Sequence, residues 1–147
     1  MTDRSILLVE DNPDDEALTL RAFKKSKIRN EVVVMRDGAE ALAYLFPGNG
    51  DAVPRPALIL LDLNLPKVGG LEVLRRMRAD ERTQMIPVVV LTSSKLEEDI
   101  IDSYRKGANA YVRKPVKFSD FAEAVSALGV FWLLLNEPVP GPGPESD

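Results

Sequence analysis

The sequence contains no cysteine and no histidine. Without cysteine there is no disulfide, thiolate nucleophile, cysteine-bound metal or iron–sulfur cluster. Without histidine, a Ser-His-Asp triad, a histidine-ligated metal and an imidazole proton shuttle are excluded. Long apolar runs are missing too. The longest late in the chain, residues 127–135, is far too short to span a bilayer. The polar start, Met1 to Ser5, does not resemble a signal peptide, so a reduced cytoplasm is the expected location. There is no basic excess: 19 Lys and Arg stand against 23 Asp and Glu, which argues against nucleic-acid binding. The chemistry left is that of carboxylates, hydroxyls, Lys, Arg and Tyr, with any hard cation that oxygen atoms can hold.

What is present is regular. The 147 residues, 45% apolar and 29% charged, suit one soluble domain with its own core. Five short apolar runs occur at 6–9, 32–35, 58–61, 88–91 and, more weakly, 110–112. Four are continuous rather than alternating, as expected of strands covered on both faces of a parallel sheet. Segments with helical spacing alternate with them at 14–27, 38–46, 70–78, 97–106 and from Phe118 onward. The segment 97–106 opens with acids and ends with bases, as a helix dipole favours, and Gly107 stops it. The last helix is expected to bury Phe118, Phe121, Val125, Leu128, Trp132 and Leu135, spaced three and four apart. Alternating strands and helices imply a single α/β domain with a doubly wound, five-stranded parallel sheet. The domain is expected to run over 1–136. The Pro- and Gly-rich tail 137–147 is expected to be disordered or partly an extended dimer arm.

In such a sheet, ligands bind beyond the carboxyl ends of the strands. Glu10, Asp11 and Asn12 follow the first run, Asp62 the third, Thr92, Ser93 and Ser94 the fourth, and Lys114 and Pro115 the fifth. Arg36-Asp37-Gly38, after the second, reads as a turn and helix start. Three acids and one lysine at one sheet edge leave two negative charges, which one Mg²⁺ neutralises. A carboxylate beside Mg²⁺, lysine and threonine is equipped to take a phosphoryl group as an acyl phosphate. Any one of these residues alone reads as a turn former, helix cap or surface charge; the set points to phosphoryl chemistry. Gly48-Asn49-Gly50 lacks the lysine and spacing of a P-loop and reads as a turn.

The runs Ile6-Leu-Leu-Val-Glu10-Asp11-Asn12, Leu60-Leu-Asp62-Leu-Asn64-Leu-Pro66, Val88 to Ser94, and Tyr111-Val-Arg-Lys114-Pro115 resemble a CheY-like response-regulator receiver domain over roughly 5–128. That resemblance implies a flavodoxin-like strand order 2-1-3-4-5 with five helices. It implies Asp62 as phosphoacceptor, with Mg²⁺ on Glu10, Asp11, Asp62 and the backbone carbonyl of Asn64. Thr92 and Tyr111 match a switch pair, the ring turning inward, and Lys114 a lysine that pairs with the phosphoryl group. Pro115 then follows a cis peptide bond, and Asn64 and Ser94 occupy positions that tune dephosphorylation.

The segments 54–67 and 87–94, with Ser103-Tyr104 and Phe131-Trp132-Leu133, are further similar to small single-domain regulators partnering phytochrome-type histidine kinases. Val68-Gly69-Gly70 departs from the pattern, which often has an acid before the glycine, but touches nothing catalytic. The end of the last helix is apolar nearly all round and must be covered. Tyr111, Val130, Phe131, Trp132 and Leu134 are accordingly expected to meet a second copy, making a homodimer. Fewer than twenty residues follow Leu128, so output is expected through an unknown downstream protein or onward phosphotransfer, with no nucleic acid, no membrane and no turnover of a separate substrate. Two rivals are a phosphate-independent pseudo-receiver and a Mg²⁺-dependent aspartyl phosphatase. The second usually carries an acid two residues after the nucleophile, where this chain has Asn64.

Overall fold

The apolar runs are strands because each can be buried on both faces. In a computed structural model, which describes residues 5–48, 54–115 and 117–137, they pair into one parallel sheet. The strands are β1 (Ile6–Val9), β2 (Val32–Met35), β3 (Leu58–Leu61), β4 (Val88–Thr92) and β5 (Ala110–Arg113), in the order β2-β1-β3-β4-β5. The helices are α1 (Pro13–Lys25), α2 (Gly38–Leu45), α3 (Gly70–Ala79), α4 (Glu97–Arg105) and α5 (Phe118–Gly129). The central strands β1, β3 and β4 are buried throughout, whereas edge strand β2 is half-buried.

The sheet separates two cores. Leu7, Val9, Ile59, Leu61 and Val90 pack toward Leu45, Leu74 and Met77 of α2 and α3. Ile6, Leu8, Leu60, Val89 and Leu91 pack toward Phe23, Phe121 and Val125 of α1 and α5. Within α1 the buried positions are Thr19, Ala22 and Phe23, while Ala17 faces solvent. That helix stops two residues before the expected Lys27. Ile28 N–H bonds to Phe23 O and Lys27 N–H to Lys24 O, with Lys27 in the left-handed region at φ 63°. Gly107, at φ 103°, plays the same part after α4, as expected.

The last helix departs from its expected spacing. After Gly129 the chain continues as a π-helical segment over Val130–Leu135, closed by a bond from Asn136 N–H to Phe131 O. The extra residue per turn rotates the following side chains about the axis. Leu133 turns into the core, and Leu135, expected inside, is 70% exposed. Trp132 is half-buried, with the Phe131 ring edge-on at 5.1 Å. At the other end, Phe118 lies outside the core, under the Arg21 guanidinium at 5.1 Å.

The sheet's hydrogen bonding runs past the strand ends and sets the next residues side by side. Glu10 N–H reaches Met35 O at 2.9 Å, Asp62 N–H reaches Val9 O at 3.1 Å, and Lys114 N–H reaches Thr92 O at 2.8 Å. Among the described residues no helix is long and apolar enough to cross a membrane. The tail from residue 138 onward, and Asn49 and Gly50 of the long connection, lie outside the described residues.

Candidate phosphoryl-acceptor site

Each site residue stands at or just past the carboxyl end of a strand, and the parallel register does the assembling. Val9 pairs with Leu61, so Glu10 and Asp62 follow on adjacent strands; Thr92 pairs with Arg113, so Lys114 follows beside it. Asn12 caps α1 by accepting from Asp14 N–H at 2.9 Å and Asp15 N–H at 3.1 Å. Asp37 caps α2 by accepting from Glu40 N–H at 2.7 Å, and that bond holds its carboxyl below the ordinary range. Gly70 opens α3 directly under Asp62. A side chain there would collide with the Asp62 carbonyl oxygen, so only glycine lets this helix start so close to β3.

Asp62 is buried, and both of its oxygens are engaged. Oδ1 accepts from Thr92 Oγ1 at 2.8 Å and from Asn64 N–H at 3.1 Å; Oδ2 accepts from Lys114 Nζ at 2.9 Å. Glu10 is 2% exposed, and its Oε1 accepts from Lys114 Nζ at 2.6 Å. Burial raises the Glu10 carboxyl to about 7, and the pull of Lys114 in the opposite direction only partly offsets it. Burial also works against the Lys114 charge. Its hydrogen bonds to Asp15 and Glu10 and the field of Asp62 outweigh that, so the ammonium is held above its ordinary value. It is charged at any physiological pH.

Carboxylate oxygens of Glu10, Asp11 and Asp62 lie within 4.8 Å of one another. Two of these acids are buried and one, Asp11, is exposed toward the groove that Asn12, Asn64, Ser93 and Lys114 also line. The donors are all hard oxygens and one side is open to water, which suits a divalent cation that keeps part of its hydration.

Residues 6–126 match the response regulator receiver domain model. This chain belongs to the response regulator receiver family. Receivers act through phosphorylation-dependent two-component signalling. The receiver is 44% identical to response regulator Rcp1 of Synechocystis sp. over 129 residues, 87% of this chain and 88% of that protein. The crystal structure of the Mn²⁺-bound form of Rcp1 superposes with a TM-score of 0.86 at 41% identity, covering 93% and 99% of the two chains. The phosphorylated cyanobacterial phytochrome response regulator RcpA gives 0.85 at 40% identity, with 95% and 100% covered. The bacteriophytochrome response regulator RtBRR is 53% identical, with a TM-score of 0.70 over 96% and 86%.

Glu10, Asp11, Asp62, Asn64, Thr92 and Lys114 therefore come together as expected, and Tyr111 joins them at one remove. Its hydroxyl donates to Ser94 O at 3.2 Å, and burial pushes its phenol up. The Ser94 hydroxyl donates to Asp99 Oδ2 of α4 at 2.5 Å. One expectation is corrected. No peptide bond among the described residues is cis, so the Lys114–Pro115 bond is trans. Trans is the lower-energy isomer even before proline. With Lys114 N–H on Thr92 O, the side chain reaches its carboxylates without a cis bond.

Asp15 was not foreseen. It donates no strand-end signal, and as a first-turn acid it looks like any residue favoured by the helix dipole. Yet its Oδ2 accepts from Lys114 Nζ at 2.9 Å. Asp99 was also missed, for the same reason.

Of the expected dimer residues, Val130 and Phe131 are exposed, Trp132 and Tyr111 are half-buried, and the Leu134 side chain lies outside the described residues.

Proposed function

We propose that Asp62 accepts a phosphoryl group from the phosphohistidine of a phytochrome-type histidine kinase, with Mg²⁺ held by Glu10, Asp11, Asp62 and the backbone carbonyl of Asn64. The observation that carries this is the setting of Asp62: a buried carboxylate with Thr92 on one oxygen and Lys114 on the other, beside two further acids. In the transfer an Asp62 oxygen bonds to phosphorus, the phosphorus–nitrogen bond breaks, and its electron pair leaves with the kinase imidazole. Bound Mg²⁺ would offset negative charge on the transferring oxygens. Lys114 supplies a fixed positive charge at the same place, and the Thr92 hydroxyl is free to turn from Asp62 Oδ1 to a phosphoryl oxygen.

That turn gives a route outward. Ser94 N–H lies 3.5 Å from Thr92 Oγ1, and Ser94 in turn holds Tyr111 through its carbonyl and Asp99 through its hydroxyl. Movement of Thr92 thus reaches β5 and α4 through one residue, and phosphorylation shifts the balance between two settings of that loop. Ser94 and Asn64 tune the lifetime of the phosphorylated state, Asn64 from the exposed rim of the groove and Ser94 by way of the loop. The names of the relatives, phytochrome and bacteriophytochrome response regulators, support the kinase type. Exposed Val130, Phe131 and Leu135 support a homodimer through the last helix, with the signal passed on to a protein partner.

The test is incubation with Mg²⁺ and a small acyl-phosphate donor, read by intact mass, with Asp62→Asn alongside. One phosphoryl adduct on the wild type and none on the variant is expected. A wild type that takes neither phosphoryl nor beryllofluoride would overturn the reading in favour of a phosphate-independent interaction module.

A further inference from the structure

An ammonium has three N–H bonds, and each of those on Lys114 has a different carboxylate: Glu10 at 2.6 Å, Asp15 at 2.9 Å and Asp62 at 2.9 Å. Asp62 is the acceptor and Glu10 belongs to the metal-binding set. Asp15 belongs to neither. It comes from the first turn of α1, 99 residues from Lys114 in the chain, and its side chain is 25% exposed.

We propose, resting on Asp62 as the phosphoryl acceptor, that Asp15 is a positioning residue that holds Lys114 back from the incoming phosphoryl group and so limits the rate at which Asp62 is phosphorylated. The first reason is donor arithmetic. Lys114 has no fourth N–H, so it engages a phosphoryl oxygen only by giving up a present partner. Glu10 is almost wholly buried and cannot swing into water; Asp15 stands at the rim and can. The bond to Asp15 is therefore the one that opens as the donor arrives, before the Asp62 oxygen has reacted. The second reason is charge. Asp15 and Asp62 sit across a single nitrogen from each other, so Asp15 places a negative charge beside the path of a phosphoryl anion. Both effects slow uptake.

In the test reaction an Asp62 oxygen bonds to the phosphorus of a small acyl phosphate. The phosphorus–oxygen bond to the acyl carboxylate breaks, and that carboxylate leaves with the electron pair. The rate is measured by intact mass at saturating Mg²⁺ for the wild type, Asp15→Asn and Asp15→Glu, with thermal midpoints recorded for all three. Asp15→Asn keeps the shape and removes the charge; it is expected to be phosphorylated roughly three- to fivefold faster than the wild type, the scale of a partly exposed charge pair. Asp15→Glu restores a carboxylate within reach of Lys114 and is expected to return to near the wild-type rate. Rescue by charge is what a merely structural residue would not show. A folded Asp15→Asn that is no faster than the wild type, or an Asp15→Glu as fast as Asp15→Asn, overturns the proposal. A wild type that is not phosphorylated at all overturns instead the assignment of Asp62 on which it stands.

Discussion

Replacing Lys114 with methionine keeps the unbranched side chain as far as Cε and removes the only cation that touches Glu10, Asp15 and Asp62 at hydrogen-bond distance among the described residues. Glu10 and Asp62 are both buried, so the variant strands two carboxylates away from water. Breaking a buried pair by removing one partner costs about 3 kcal/mol or more. In a domain of this size that lowers the thermal midpoint by roughly 10 °C. The loss depends on pH, and the sign follows from Glu10. Its carboxyl already stands at about 7 in the folded wild type, above its unfolded value, so the folded state keeps a proton that the unfolded state releases. Such a group contributes stability that is complete below the unfolded value and is lost as pH rises through the folded one.

Lys114 is among the groups that pull Glu10 down, so in Lys114→Met the loss extends to higher pH than in the wild type. Above pH 7 the gap between the two proteins then widens, by up to about 1.4 kcal/mol per pH unit. The assay is urea denaturation of the metal-free proteins at pH 7 and pH 8. Saturating Mg²⁺ should narrow the gap at pH 8, because a dication replaces the missing charge. A cost below about 1 kcal/mol at pH 8, or one that does not grow with pH, would refute the reasoning.

Two further outcomes follow from the same structure. Because Glu10 must lose its proton to bind a cation, the apparent Mg²⁺ affinity should weaken below pH 7, by up to about tenfold per pH unit, while staying level above it; fluorescence or calorimetric titration at pH 6 and 8 measures this, and equal affinities would count against it. Arg78 of α3 donates to Gly107 O, Gln84 O, Ile86 O and Asn109 Oδ1 at 2.8–3.0 Å, at the end of the sheet opposite the site. Burial lowers its guanidinium, yet those oxygens need it, so Arg78→Met should cost about 2 kcal/mol in denaturant unfolding and leave Asp62 phosphorylation intact.

Much of the architecture is written locally. A parallel strand covered on both faces must be a continuous apolar run, and four such runs mark four of the five strands. Ligands gather where strands end, so the residues after each run are the place to look. Glu10, Asp62, Thr92 and Lys114 were all legible there. Caps are local as well, since Asn12 and Asp37 act on amides two or three residues away.

Packing decided the rest. Asp15 meets Lys114 only because α1 and β5 deliver residues 99 apart to one point, and no short-range preference of an acid in a first helical turn encodes that. Arg78 reaches Gly107 O and Asn109 Oδ1 across 29 and 31 residues for the same reason. The spacing of the last helix promised an inward Leu135. A change from i→i+4 to i→i+5 bonding rotated the chain and buried Leu133 instead. Ser94 stands just past the fourth apolar run in sequence, and in space its hydroxyl turns to Asp99. The sequence by itself determined the strands, the helices and the acids at their ends, because those depend on periodicity and near neighbours. The tertiary structure alone decided which charge answers which, because that depends on distances between residues the chain keeps far apart.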